Sequence, residues 1–259
     1  MTKFVTTLII MVICGFAAAS AGNAAQMADS AYNAEDYPRA IQLYNEALAA
    51  GDVSARVYYN LGNAYYRDGK LGRAVVAYNR SLVLDPADAD ARANLAFVNS
   101  RLQDLPEDDN SFLSNLHQSV VTAAAANTWA WIALLTFALT LGAVALYIFA
   151  GGVVPRKIGF FGAFVLAAFT VYFVIVAKDA ADRLDDHSRA VVIVPTTFLN
   201  SVPRQPRQTE KVVPLHEGAV VQVIDSVPTP DDPVSPRWYN VKINNSTGAW
   251  LRATDVERI

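Results

Sequence analysis

Residues able to do acid–base, nucleophilic or metal chemistry are few in this chain and stand apart from one another. The three histidines, His117, His187 and His216, lie in different segments, and the single cysteine, Cys14, sits inside an apolar stretch. One cysteine alone forms neither an internal disulfide nor a cysteine-based metal site. No HExxH helix, phosphate-cradling glycine loop or GxSxG elbow occurs. Asp185-Asp186-His187 brings three ligand types together, but it has no second group at helical or hairpin spacing and reads as a solvated connector. The pattern predicts a protein that is not an enzyme and uses neither cofactor nor metal. A net charge of −3 with scattered lysines and arginines also excludes the basic face that a nucleic-acid partner requires.

What remains is the chemistry of recognition, hydrogen bonding and stacking, and here the spacing is informative. Ala40 and Tyr44 recur as Ala74 and Tyr78, an offset equal to a repeat period of roughly 34 residues. The second copy is the cleaner one. Tyr58, Leu61, Gly62 and Tyr65 fall on a first helix, Ala74 and Tyr78 on a second, and Pro86 closes the unit. Gly62 and Ala74 let two helices approach, the aromatics fill the space beside them, and the proline stops the second helix. These positions resemble the tetratricopeptide repeat. The first copy, over residues 22–52, keeps Ala28, Tyr32, Ala40, Tyr44 and Ala47 without a closing proline. A third helix, from Asp88 to about Leu105, places Leu95 and Ala96 where Leu61 and Gly62 stand one period earlier, and reads as a cap.

The resemblance implies a curved array over residues 22–105 whose concave wall, formed by the first helix of each repeat, binds extended peptides or partner helices. By position, Asp29, Tyr32, Tyr59, Asn63, Tyr66 and Arg67 face that wall and are the candidate partner-binding residues. An array of two and a half repeats is expected to lean on something else, a partner protein or a membrane face.

The rest of the chain says where such an array would work. Lys3 precedes an apolar run from Phe4 to Ala19, and Ala19-Ser20-Ala21 supplies small residues for cleavage, so residues 1–21 read as a signal peptide. Ile13 occupies the place where a lipoprotein needs a small residue before its cysteine. Residues 129–150 and 158–177 carry no charge, and each is long enough at 1.5 Å per residue to cross about 30 Å of hydrocarbon. Arg156 and Lys157 crowd the loop 151–157, which makes that loop cytoplasmic and places everything outside the hairpin on the opposite side. Neither span has an ionisable residue at its middle, so the hairpin is an anchor rather than an ion path. Residues 106–128 form either a linker or an interfacial helix bearing Phe112, Leu116 and Val120.

After a connector at 178–189, residues 190–259 change to short β-rich runs broken by prolines: Ala190 to Val194, Val212 to Leu215, Ala219 to Ile224, Trp238 to Ile243 and Ala249 to Leu251. His216-Glu217-Gly218, Trp238-Tyr239-Asn240-Val241 and Gly248-Ala249-Trp250-Leu251 resemble bacterial SH3-like domains. Some of those bind cell-wall peptides through an Arg-Ser-Gly-Pro loop, where this chain has Asn200-Ser201-Val202-Pro203. Trp238, Tyr239 and Trp250 form either the core or a peptide-binding patch, and the second option would make the protein a peptidoglycan receptor.

The fold class expected is therefore multi-domain: an all-α tetratricopeptide array, two transmembrane helices and a small all-β SH3-like barrel. In that order the modules resemble BatE-type proteins of aerotolerance operons. The resemblance implies a scaffold in the bacterial inner membrane, both soluble modules periplasmic, in an envelope complex tied to oxidative stress tolerance. It also implies partners: membrane proteins with von Willebrand A domains and, indirectly, a cytoplasmic MoxR-type AAA ATPase.

Overall fold

The computed structural model describes residues 24–104, 112–186, 188–204, 212–227, 238–242 and 248–259. Residues 1–21, read from sequence as a signal peptide, and His187 lie outside the described residues. The chain forms two compact units. Of the described residues, one unites 24–84, 88–104 and those from 188 to 259; the other holds 112–186 together with Asp85–Ala87.

In the first unit, helix α1 (24–33) pairs with α2 (Tyr37–Ala49), α3 (Ala55–Arg67) with α4 (Leu71–Leu84), and α5 (Ala89–Asn99) packs on α4. Local chemistry sets the ends. Asp36, Ser54 and Asp88 cap α2, α3 and α5 by accepting from Arg39, Val57 and Ala91 N–H groups. Helix α3 closes with Gly69 at φ +79, whose N–H donates to Tyr66 while Lys70 N–H reaches Tyr65. The same closure ends α1, with Glu35 N–H donating to Tyr32 and Asp36 N–H to Ala31. There the left-handed position is held by Glu35 at φ +60, a non-glycine residue. Helix α5 stops at Asn99, short of the Leu105 expected from sequence, and residues 101–104 turn away.

The C-terminal strands are β1 (Arg189–Val192), β2 (Thr196–Leu199), β3 (Val213–His216), β4 (Val220–Val227), β5 (Trp238–Lys242), β6 (Ala249–Arg252) and β7 (Val256–Arg258). Five make an antiparallel sheet in the order β6-β5-β4-β1-β7, and β2 pairs with β3. Asn200 bridges to Trp250 and ties the two sheets together. Among the described strands this assembly does not close into the barrel expected from sequence. Ala190, Val192, Val221, Val223, Val241 and Leu251 form its core. Trp238 joins the buried set at 5% exposure, so the core alternative holds for that ring.

The repeats and the strands are one body. Alternation along β1 turns Ala190 and Val192 into the sheet's own core, while Val191 enters the core of the helical array with Ile193, Val220 and Ile259 beside it. The contact is close because two glycines permit it. A Cβ on Gly72 of α4 would lie 2.4 Å from the Val192 carbonyl oxygen, and one on Gly218 would lie 2.4 Å from Leu102. Around them Gly72 N–H donates to Glu217 Oε1 at 2.8 Å, and His216 N–H donates to Asp104 Oδ2 at 2.6 Å. Arg80 of α4 pairs with Glu257 at 2.7 Å. The chain's own C-terminal strands support the short array through these contacts.

In the second unit, α6 (Phe112–Val121) precedes a hairpin of α7 (Ala126–Phe149) and α8 (Val153–Asp185). The last two are long and apolar enough to cross a membrane. Their outward surfaces carry exposed Trp131, Leu135, Phe161 and Phe164, an apolar area far beyond what a water-facing helix leaves open. Gly159 is the crossing point: a Cβ there would lie 2.6 Å from the Tyr147 nitrogen, whereas Gly142 and Gly162 face open space. Arg156 and Lys157 fall in the first turns of α8 rather than in a free loop, because Pro155 is accepted in a helix's opening turn. His117 of α6 meets Asp179 of α8 at 2.9 Å.

Candidate functional site

The wall of the array is built twice from one hydrogen-bonding unit. In the first repeat Tyr44 donates to Asp29 Oδ1 at 2.5 Å, and Asn60 Nδ2 donates to the same oxygen at 3.0 Å. One period on, Tyr78 donates to Asn63 Oδ1 at 2.7 Å, and Asn94 Nδ2 donates to it at 2.9 Å. Both tyrosines come from second helices and are buried, so each must satisfy its hydroxyl internally. Burial pushes both phenols well above the ordinary tyrosine range; for Tyr44 the adjacent Asp29 carboxylate adds to the effect. Gly62 exists for this geometry, since a Cβ there would lie 2.7 Å from the Tyr78 ring. Its counterpart, Ala28, stands fully buried in the first repeat.

Two recesses open on this wall. The first, about 320 Å³, is lined by Asp29, Tyr32, Asn33, Tyr44, Asn60 and Asn63. Asn63 spends its carbonyl oxygen on Tyr78 and Asn94, which leaves its amide N–H pair without a partner among the described residues. Asp29 is more committed: besides its two donors it faces Arg56 at 3.8 Å. Tyr32 stacks edge-on against Tyr37 at 5.6 Å, and burial raises its hydroxyl pKa. The second recess, about 420 Å³, is lined by Tyr66, Arg67, Gly69, Leu71 and Arg101. No residue of the C-terminal strands lines either one.

Of the six candidates read from sequence, the structure gathers Asp29, Tyr32 and Asn63 at the first recess and Tyr66 and Arg67 at the second. Tyr59 stands between helices, its ring 6.1 Å from that of Tyr78 and its hydroxyl accepting from Asn94 at 3.3 Å. Asn94, Phe97 and Arg101, on α5 and just beyond it, are not among those six. They sit one period after Asn60, Asn63 and Arg67, so the repeat offset itself was the signal. Phe97 packs edge-on to Tyr66 at 5.7 Å, and Arg101 donates to the Tyr66 hydroxyl.

The chemistry this surface presents is that of recognition. It offers amide and hydroxyl groups for a peptide backbone, aromatic faces for side chains and guanidiniums for an anion. The paired helices, the glycine-for-aromatic packing and the repeated tyrosine bond define a tetratricopeptide-type array. The family model of the tetratricopeptide repeat matches residues 26–102, the span from α1 through the turn after α5. Comparison with curated proteins finds no match.

Proposed function

We propose that the protein is a membrane-anchored adaptor that holds an extended segment of a partner protein in the groove of its repeat array. The observation that carries this reading is the division of the array's surface. The C-terminal strands cover α4 and the turn after α5, and the wall bearing Tyr32, Asn63, Tyr66 and Arg67 stays open.

The anchor follows from α7 and α8. A hairpin crosses a bilayer twice and returns the chain to the side it left. The helices before it and the strands after it share one core, and an even number of crossings is the arrangement that permits this. Arg156 and Lys157 at the hairpin's turn support a cytoplasmic turn, and Lys3 with the apolar run after it supports export. On this reading the repeat-and-strand unit stands in the periplasm of a bacterial inner membrane. The order of modules further supports a BatE-type scaffold with von Willebrand A-domain membrane proteins as the groove's partners. A MoxR-type ATPase would connect indirectly, and any link to oxidative stress rests on module order alone. The strands are read as an open variant of an SH3-like module. Burial of Trp238 removes one ring of the aromatic patch that a peptidoglycan receptor would use, while Tyr239 and Trp250 stay partly exposed.

Capture from solubilised membranes tests the adaptor reading. The full chain should retain a membrane-protein partner that the paired substitution Tyr32→Ala and Tyr66→Ala releases, with helical content unchanged. Equal capture by the variant contradicts it.

A further inference from the structure

We infer that α6 lies in the bilayer interface on the side where the hairpin begins and ends, with Phe112, Leu113 and Leu116 among lipid acyl chains; this rests on the reading of α7 and α8 as a membrane hairpin. Its sequence suits either a linker or an interfacial helix, and the side chains around it favour the second. Its ten residues span about 15 Å at 1.5 Å per residue, half of what crossing ~30 Å of hydrocarbon requires. At 3.6 residues per turn, Phe112, Leu116, Val120 and Leu113 share an arc that runs on into His117 and Val121. Ser114, Asn115, Gln118 and Ser119 fill the other side. Among the described residues, only part of the apolar arc is covered. Val121 is buried with Val176 and Ala180 of α8, and Val120 packs against them. Phe112, Leu113 and Leu116 stay 78%, 73% and 51% exposed.

The place where α6 packs points to lipid as the cover. Helix α8 leaves its charge-free stretch 158–177 at Lys178, Asp179, Asp182 and Arg183, and these charges mark the edge of the hydrocarbon. Helix α6 is held at that edge. His117 Nε2 lies 2.9 Å from Asp179 Oδ2, and Arg183 donates to Gln118. Trp129 and Tyr172, residue types that settle where lipid meets water, pack against the same Val121, Val176 and Ala180 that fix α6. The exposed apolar arc of α6 therefore continues, at the membrane edge, the apolar surface that α7 and α8 turn outward. Acyl chains there take three large side chains out of water. Helix α6 carries no Lys, Arg, Asp or Glu, so its burial needs no anionic headgroup.

Fluorescence quenching of the full chain in phosphatidylcholine vesicles tests this. The chain carries Cys14→Ser and one fluorescent label at a time, on Leu113→Cys, Leu116→Cys, Asn115→Cys or Ser119→Cys. The apolar face of an interfacial helix sits about 5–10 Å into the headgroup and acyl boundary, so lipids spin-labelled near the top of the acyl chain should quench labels at 113 and 116 about twofold more than those at 115 and 119. Iodide in the water should give the reverse order. Leu139→Cys, exposed near the middle of α7, is the control for the hairpin and should be quenched by lipids spin-labelled deep in the chain. With position 139 quenched, two results overturn the inference and leave the membrane hairpin standing: equal lipid quenching at all four α6 positions, or labels at 113 and 116 shielded from both lipid and iodide by protein. Absence of lipid quenching at 139 overturns both.

Discussion

Tyr44 and Tyr78 show how a single side chain ties packing to charge. Each donates its hydroxyl into the groove wall from a buried ring, so folding holds the proton more tightly than the unfolded chain does. The sign follows. A tyrosine with a raised folded pKa contributes stability that is complete below about pH 10 and is lost as pH rises from there towards the folded value. Unfolding free energy should therefore fall above about pH 10, by up to ~1.4 kcal/mol per pH unit for each tyrosine, and the melting temperature should fall with it. In Tyr78→Phe the fall should be shallower; an unchanged slope would mean that the ring does not hold its proton in this way. A second residue-scale prediction concerns Glu35 and Gly69, one period apart at the same left-handed turn. Glu35→Gly should stabilise the array by about 0.5–1 kcal/mol, since a side chain in that conformation costs ~1–2 kcal/mol and glycine's extra entropy offsets part of it. Gly69→Ala should destabilise by about 1 kcal/mol although no atom lies within 4 Å of the added carbon. Chemical denaturation at neutral pH reads both.

At the scale of elements, the sequence announced the helices through their period and the strands through short β-branched runs. It revealed less about how they meet. Residues 190–194 are an unbroken apolar run, the pattern of a strand covered on both faces, and Val191 does enter the helical core. The run alone does not name what covers the second face. His216-Glu217-Gly218 stood out as a module signature, yet all three touch the array: His216 meets Asp104, Glu217 meets Gly72 and Gly218 meets Leu102. Contacts over such separations leave no periodic trace in a single chain. Strand β2, four residues between Pro195 and Asn200, is too short for alternation to show in the sequence. Gly72→Ala forces a carbon into the Val192 carbonyl, and overpacking of this kind costs ~1–3 kcal/mol. Limited proteolysis of the full chain should then cut the C-terminal strands faster than in the unaltered protein. Equal protection would show that the docked arrangement does not depend on this contact.

For the whole molecule, the chain leaves and returns through a hairpin, and the two parts outside it complete each other. A short array is packed on one side by strands encoded beyond the hairpin, and on the adaptor reading proposed above this leaves its groove open for a partner. The most direct measurement of that division of labour is photocrosslinking in intact membranes, with a photoreactive residue placed at Tyr66 in the groove or at Arg80 on the covered helix. The account predicts intermolecular adducts to a second protein from position 66 and intramolecular adducts to the C-terminal strands from position 80. Partner adducts from position 80, with none from position 66, would contradict it.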